Sequence, residues 1–145
     1  MILAVVDTNV LASGFASQVD ESIPAQVIVA WRTGRFVLSI SEHILAELTR
    51  TLNRAYFVER LTPAQADEDI RLLRREATLT PITVEVHGVA THPEDDLVLA
   101  TSVSAGAEYL VTGDLKLLRL GMYENVSIVS PRAFLGHLAG RATEA

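Results

Sequence analysis

The chain has 145 residues, 49% of them hydrophobic, no cysteine and a formal net charge of −6. That length fits one domain that can bury a core unaided, and the missing cysteine excludes disulfides and thiolate metal sites. The negative charge weighs against a nucleic-acid binder, whose phosphate contacts usually come from a basic surface, unless part of the acidity serves a metal site that a cation would neutralise.

In chain order, Ile2 to Val6 reads as a first, buried strand. Its apolar run is far below the ~18 residues of a membrane span. It stops at Asp7 with no cationic start or cleavage site, so a soluble, cytoplasmic protein is expected. A helical stretch from about Pro24 to Thr33 ends near Gly34, and Phe36 to Ile40 is a second strand. Ser41 is the N-cap of a helix through about Leu52, with Ile44, Leu45 and Leu48 on one side. Thr62-Pro63-Ala64-Gln65 has the capping-box pattern with proline at the first helical position, and opens a helix to about Ala77. Ile82 to Val86 alternates apolar and polar residues and is taken as the third strand. Asp95 or Asp96 starts a helix to about Ala105 that Gly106 closes. Tyr109 to Thr112 and Ser127 to Val129 are the fourth and fifth strands, and Ser130-Pro131 opens a last helix. Without repeats or linkers, the alternation predicts a single α/β domain with a mostly parallel sheet over residues 1–145. Its core would reach about residue 138, with a tail at 139–145.

Four acidic positions fall where one element gives way to the next. Asp7 and Asp114 follow apolar strands, at the sheet edge where open α/β folds bind ligands. Thr8 and Asn9 are placed to orient Asp7, and Gly113 permits a tight turn at Asp114. Glu47 lies near the edge of the buried stripe of its helix, which favours it over Glu42, whose place at the helix N-terminus the macrodipole already explains. Asp95 and Asp96 after Glu94 exceed what one helix cap needs, so one would face the pocket and the other cap or face water. His43, His87, His92 and His137 show no ligand spacing and read as structural or exposed. Gathered carboxylates repel unless a cation joins them, and hard oxygen donors suit Mg²⁺ or Mn²⁺. Only Lys116 of the 12 basic side chains is lysine; the others are arginines, whose planar fork fits phosphate.

The segments Val5-Val6-Asp7-Thr8-Asn9-Val10-Leu11, Ser41 with Glu47-Leu48, Pro93-Glu94-Asp95-Asp96, and Tyr109 through Leu118 resemble the signature segments of PIN domains. The resemblance is to the single-domain type related to VapC toxins. It implies a three-layer α/β/α sandwich around a central, mostly parallel five-stranded sheet, and an endoribonuclease site using Mg²⁺ or Mn²⁺. Asp7, Glu47, Asp95 and Asp114 match the family's four acids, and Asn9 and Thr112 the polar residues that support them. The choice between Asp95 and Asp96 as the metal ligand stays open, because PIN domains differ by one residue in the spacing to the Thr112 segment.

The site chemistry points the same way. Phosphodiester hydrolysis needs an activated water and relief of phosphate charge, which metal ions held by carboxylates supply. A receiver-like signalling domain would want a phosphoacceptor Asp at a middle strand end, where Ser41 stands. A haloacid dehalogenase-type phosphatase would want Asp at the position of Asn9. A catalytically silent PIN-like binding module would have lost an acid. The expected partners are an RNA substrate, an antitoxin protein and, as in PIN toxins, a second copy of the chain, with no membrane. Ile23, Val27, Ile28, Val29 and Trp31, with Leu52, Tyr56, Phe57 and Leu61, exceed one buried stripe and suggest an apolar groove for the antitoxin.

Overall fold

A computed structural model describes residues 1–17 and 21–144, without the side chains of 142–144; Ala145, the end of the expected tail, lies outside the described residues. In chain order the elements are β1 (Leu3–Val6), α1 (Thr8–Ala16), α2 (Ile23–Arg32), β2 (Val37–Ile40), α3 (Glu42–Leu52), α4 (Ala55–Val58) and α5 (Pro63–Glu76). They continue as β3 (Thr78–Leu79), α6 (Pro93–Ala105), β4 (Tyr109–Val111), α7 (Leu115–Leu120), β5 (Met122–Tyr123), β6 (Val126–Val129) and α8 (Pro131–Glu144). The apolar side chains of β1 and β4 are buried on both faces of the sheet, the mark of parallel strands with helices on either side. The sheet runs β3-β2-β1-β4-β6-β5, and every pair is parallel except β5 with β6. Winding goes outward from β1 through β2 to β3, then returns to lay β4 on the other side of β1. The direction therefore reverses between β1 and β4, and such a reversal opens a crevice at the strands' C-terminal ends.

The helices complete an α/β sandwich. α1 packs on α2 and α3, α8 on α2 and β4, and α6 on β1, β2 and β4. Phe134 of α8 is fully buried, meeting Phe36 edge-on with ring centroids 4.9 Å apart. Local signals behave as the sequence predicts. Ser41 Oγ accepts from the Ile44 N–H at 3.3 Å. Thr62 and Gln65 make both bonds of the capping box, at 3.1 and 3.0 Å. Gly106 ends α6 in the left-handed region at φ 65°, where a Cβ would be strained.

Several expectations are corrected. Among the described residues the sheet has six strands rather than five, the additional one being the short antiparallel β5. The third strand is Thr78–Leu79, not Ile82 to Val86. It pairs with β2 as α5 ends, the Thr80 N–H still reaches the Ile40 carbonyl at 2.7 Å, and then Pro81, which has no N–H, stops the ladder. Downstream, the Thr83 N–H goes to Ser104 Oγ at 2.9 Å on α6 instead of to a strand. α6 starts at Pro93 with His92 as its cap, ahead of the expected Asp95 or Asp96. The helices α1, α4 and α7 also form where the sequence pattern marked none. Of the apolar surplus, Val27, Trp31, Leu52 and Leu61 are core, and Ile28 and Phe57 pack against it, while Val29 and Tyr56 stay exposed. Among the described residues no helix is long and apolar enough to cross a membrane.

Gly14 explains how α1 and α2 come so close. A Cβ there would lie 2.5 Å from Ile28 Cγ1 and 2.8 Å from the backbone oxygen of Pro24, and the carbonyl cannot swing away as a side-chain tip could. Gly136, within α8, has nothing within 4 Å of its would-be Cβ. Opposite effects are expected from one substitution type. Gly14→Ala should destabilise by about 1–3 kcal/mol through overpacking, whereas Gly136→Ala should stabilise by about 0.5–1 kcal/mol by removing helical glycine. Thermal melts of the two variants check this, and equal shifts would disprove the close approach.

Candidate active site

Asp7 ends β1 and caps α1, so its carboxylate sits at a helix N-terminus, where negative charge is favoured. It is almost fully buried, and both its oxygens are held: Oδ1 accepts from the Thr8 N–H at 2.8 Å and Oδ2 from the Thr112 hydroxyl at 2.8 Å. The Thr112 hydroxyl in turn accepts from the Asp114 N–H at 3.1 Å. A single buried hydroxyl thus joins the ends of β1 and β4 to the turn that carries the next acid. Asp114 caps α7, its Oδ1 accepting from the N–H groups of Lys116 and Leu117 at 2.8 and 3.3 Å. Beside Asp7, the Thr8 hydroxyl is buried with no hydrogen-bond partner among the described residues.

Above this layer lies a cleft of about 210 Å³, lined among others by Asn9, Glu47, His92, Glu94, Asp95 and Asp114. Glu47 comes from α3, with His43 Nε2 3.5 Å from its Oε2. The same nitrogen stands 3.1 Å from the Glu94 carbonyl oxygen, tying α3 to the first turn of α6. Glu42, the other acid of α3, is instead engaged outward in a two-pronged pair with Arg74, at 2.8 and 2.9 Å.

The adjacent aspartates take different places. Asp95 is half-buried and lines the cleft. Asp96 is buried and turned away, accepting from the N–H groups of Gly88 and Ala90 at 3.0 and 2.7 Å, so that it holds the preceding loop against α6. Electrostatics follow from this gathering. Burial pushes the Asp7 carboxyl above its ordinary range, opposed by the bonds from Thr112 and Thr8 and reinforced by Glu47 and Asp114. Asp95 is pushed up to about 6, first by burial, then by Asp7 and Asp114, with His92 opposing and Glu47 adding a smaller push.

The structure therefore brings Glu47, Asp95, Asp114 and Asn9 to one cleft, sets Asp7 and Thr112 beneath it, and removes Asp96 from it. The sequence pattern passed over five further lining residues, Arg50, Thr51, Arg54, His92 and Glu94. Helical spacing was the available signal for the arginines, because Arg50 and Arg54 follow Glu47 at three and seven positions, on the same side of a helix. As a metal site the donors fit in kind, being oxygen ligands whose mutual repulsion a cation would relieve. Among the described residues no three His, Asp or Glu side chains stand as a ready ligand set for one ion.

The chain matches the PIN domain family over residues 4–116. Among solved structures it is similar to VapBC2 from Rickettsia felis bound to a DNA fragment from their promoter, at 13% identity and a TM-score of 0.60, over 89% of this chain and 98% of that one. It is also similar to FitAcB from Neisseria gonorrhoeae, at 15% identity and a TM-score of 0.53, over 88% of this chain and 97% of that one. At such identities the likeness is one of fold. The comparison with curated proteins gave no match.

Two substitutions separate the adjacent aspartates. Because the folded chain raises the Asp95 pKa above its unfolded value, the native state holds this proton more tightly. The stability linked to it is fully present below about pH 4 and is lost as pH rises through about 6. In metal-free protein, Asp95→Asn should therefore raise the melting temperature at pH 7.5 and leave it nearly unchanged at pH 4.5. A gain of equal size at both pH values would contradict the raised proton affinity of Asp95. Asp96→Asn should instead lower stability by about 1–3 kcal/mol, since an amide cannot accept both backbone N–H bonds. Hydrogen exchange would register the loss at Gly88 and Ala90, and protection there as in the unsubstituted chain would contradict the anchor.

Proposed function

The chain belongs to the PIN domain family, and from that premise we propose that it is a metal-dependent endoribonuclease hydrolysing RNA phosphodiester bonds, the toxin of a type II toxin–antitoxin pair. The observation that carries the reading is the convergence of Glu47, Asp95 and Asp114 on one cleft above the buried Asp7, at the reversal of the sheet. Burial first, and then the neighbouring carboxylates, lift the Asp95 pKa to about 6, which costs stability near neutral pH unless positive charge enters.

In this reading Asp7, Asp95 and Asp114 are the ligands of Mg²⁺ or Mn²⁺, directly or through water, in keeping with the preference of Mg²⁺ for retaining several waters beside one or two carboxylates. The bound ion would acidify a water and offset charge on the scissile phosphate. Glu47 orients the attacking water from the α3 side of the cleft. Thr112 and the Thr8 N–H fix the rotamer of Asp7 while each of its oxygens keeps lone pairs for a cation. Asp114 commits Oδ1 to the start of α7, which sets the direction of its other oxygen. Asn9, at the cleft wall, supports the acids by hydrogen bonding. No covalent nucleophile enters the scheme.

The partners in this reading are an antitoxin protein, in line with the VapBC2 and FitAcB complexes whose fold the chain shares, and a second copy of the chain, in the cytoplasm. Single-stranded RNA incubated with Mn²⁺ should be cut internally, cutting should stop with EDTA, and it should return when Mn²⁺ is restored. Asp7→Asn should lower the rate by more than the roughly 10–100-fold typical of residues outside the first ligand sphere. Cleavage that persists in EDTA, or at full rate in Asp7→Asn, would refute the metal site. A chain that cut no RNA in Mn²⁺ yet bound a protein partner would be the silent binding module instead.

A further inference from the structure

Two arginines share the lining of the acidic cleft. Arg50 lies in the last turn of α3 and Arg54 at the turn into α4; both are exposed, and both border the space that Glu47, Glu94, Asp95 and Asp114 enclose. Other arginines of the chain are engaged elsewhere, Arg74 with Glu42, Arg141 with Glu108, and Arg71 and Arg75 with Glu68. Among the described residues neither Arg50 nor Arg54 makes an ion pair, despite the acids around the same cleft. Guanidinium groups that border a carboxylate cluster without closing onto it keep their five-donor forks available to an incoming anion.

An RNA-cutting site in this chain faces a charge conflict. The chain carries −6, and the cleft presents carboxylates to a polyanion, so bound metal would relieve only the repulsion at the scissile phosphate. The neighbouring phosphates need cations of their own. Arg50, in the last turn of α3, and Arg54, at the start of α4, line the same cleft and can supply them.

Resting on the ribonuclease reading above, we propose that Arg50 and Arg54 are substrate-binding residues that grip phosphates flanking the cut and lay a single-stranded RNA across the cleft toward α4. The measurement is fluorescence anisotropy of a short labelled single-stranded RNA in EDTA, where no cutting intervenes, over a series of salt concentrations. Arg50→Ala with Arg54→Ala should weaken binding at least tenfold at low salt. It should also reduce the slope of log affinity against log salt by about 1.4, from about 0.7 for each phosphate contact on a single strand. Arg71→Ala with Arg75→Ala, an equal change of charge on α5 outside the cleft, should leave the slope unchanged. Should the alanine pair fail to fold, Arg50→Gln with Arg54→Gln removes the same charges with less change of shape and must show the same loss of slope. An unchanged slope in the folded Arg50/Arg54 variant, or an equal loss in Arg71→Ala with Arg75→Ala, overturns the proposal. If that happens while the native chain still cuts RNA with Mn²⁺, only this inference falls; a chain that neither binds nor cuts RNA takes the ribonuclease reading with it.

Discussion

The hydroxyl of Thr112 is the interaction on which the rest of the acidic layer depends. It donates to Asp7 and accepts from the N–H of Asp114, so one oxygen fixes two acids that are far apart in sequence. Burying an ionised carboxylate is unfavourable unless donors meet it. At Asp7 the donors are this hydroxyl and the first N–H of α1. The sheet prepares the bond, because Val6 lies in register with Val111 and the Asp7 N–H continues the ladder to the Val111 carbonyl at 2.8 Å. Topology thus sets the two strand ends side by side, and the hydroxyl converts that adjacency into a fixed distance between charges.

Charge is sorted across the molecule in a way that keeps this layer strained. Burial first, and then the neighbouring acids, raise the proton affinity of Asp7 and Asp95 at the C-terminal edge, whereas Glu42 and Glu108 are paired outward with arginine. Those outward pairs are exposed and contribute little to stability. Their effect lies in what they withhold, since neither Arg74 nor Arg141 is left to compensate the cleft.

Much of this arrangement was legible in the sequence where a single residue has a single physical job. Asp7 and Asp114 stand out because each ends an apolar run, and Ser41, Thr62 with Gln65, and Gly106 announce helix ends by hydrogen bonding or by backbone freedom. Other features depend on partners distant in the chain. The alternation of Ile82 to Val86 resembles a strand, yet Pro81 has already ended the ladder and Ser104 takes the Thr83 N–H. α1 depends on tertiary packing that a local pattern does not show, since Gly14 lets it approach α2 closely. Asp95 and Asp96 could not be told apart because one position along a helix rotates a side chain by about 100°. Which of them faces the cleft is decided by α6 beginning at Pro93, two residues before the first of the pair.

The sheet's margins carry a consequence for assembly. Both outermost strands, β3 and β5, are only two residues long, and beyond β3 one further bond, from the Thr80 N–H to Ile40, precedes Pro81, where the ladder stops. An edge of that length offers too few free N–H and C=O groups to template a further strand, one of the devices by which natural sheets avoid edge-to-edge aggregation. The domain is thereby insulated from amyloid-like growth and from strand exchange at either margin. Any stable association is left to side chains on its helices, where recognition depends on shape and charge rather than on backbone pairing that every protein shares.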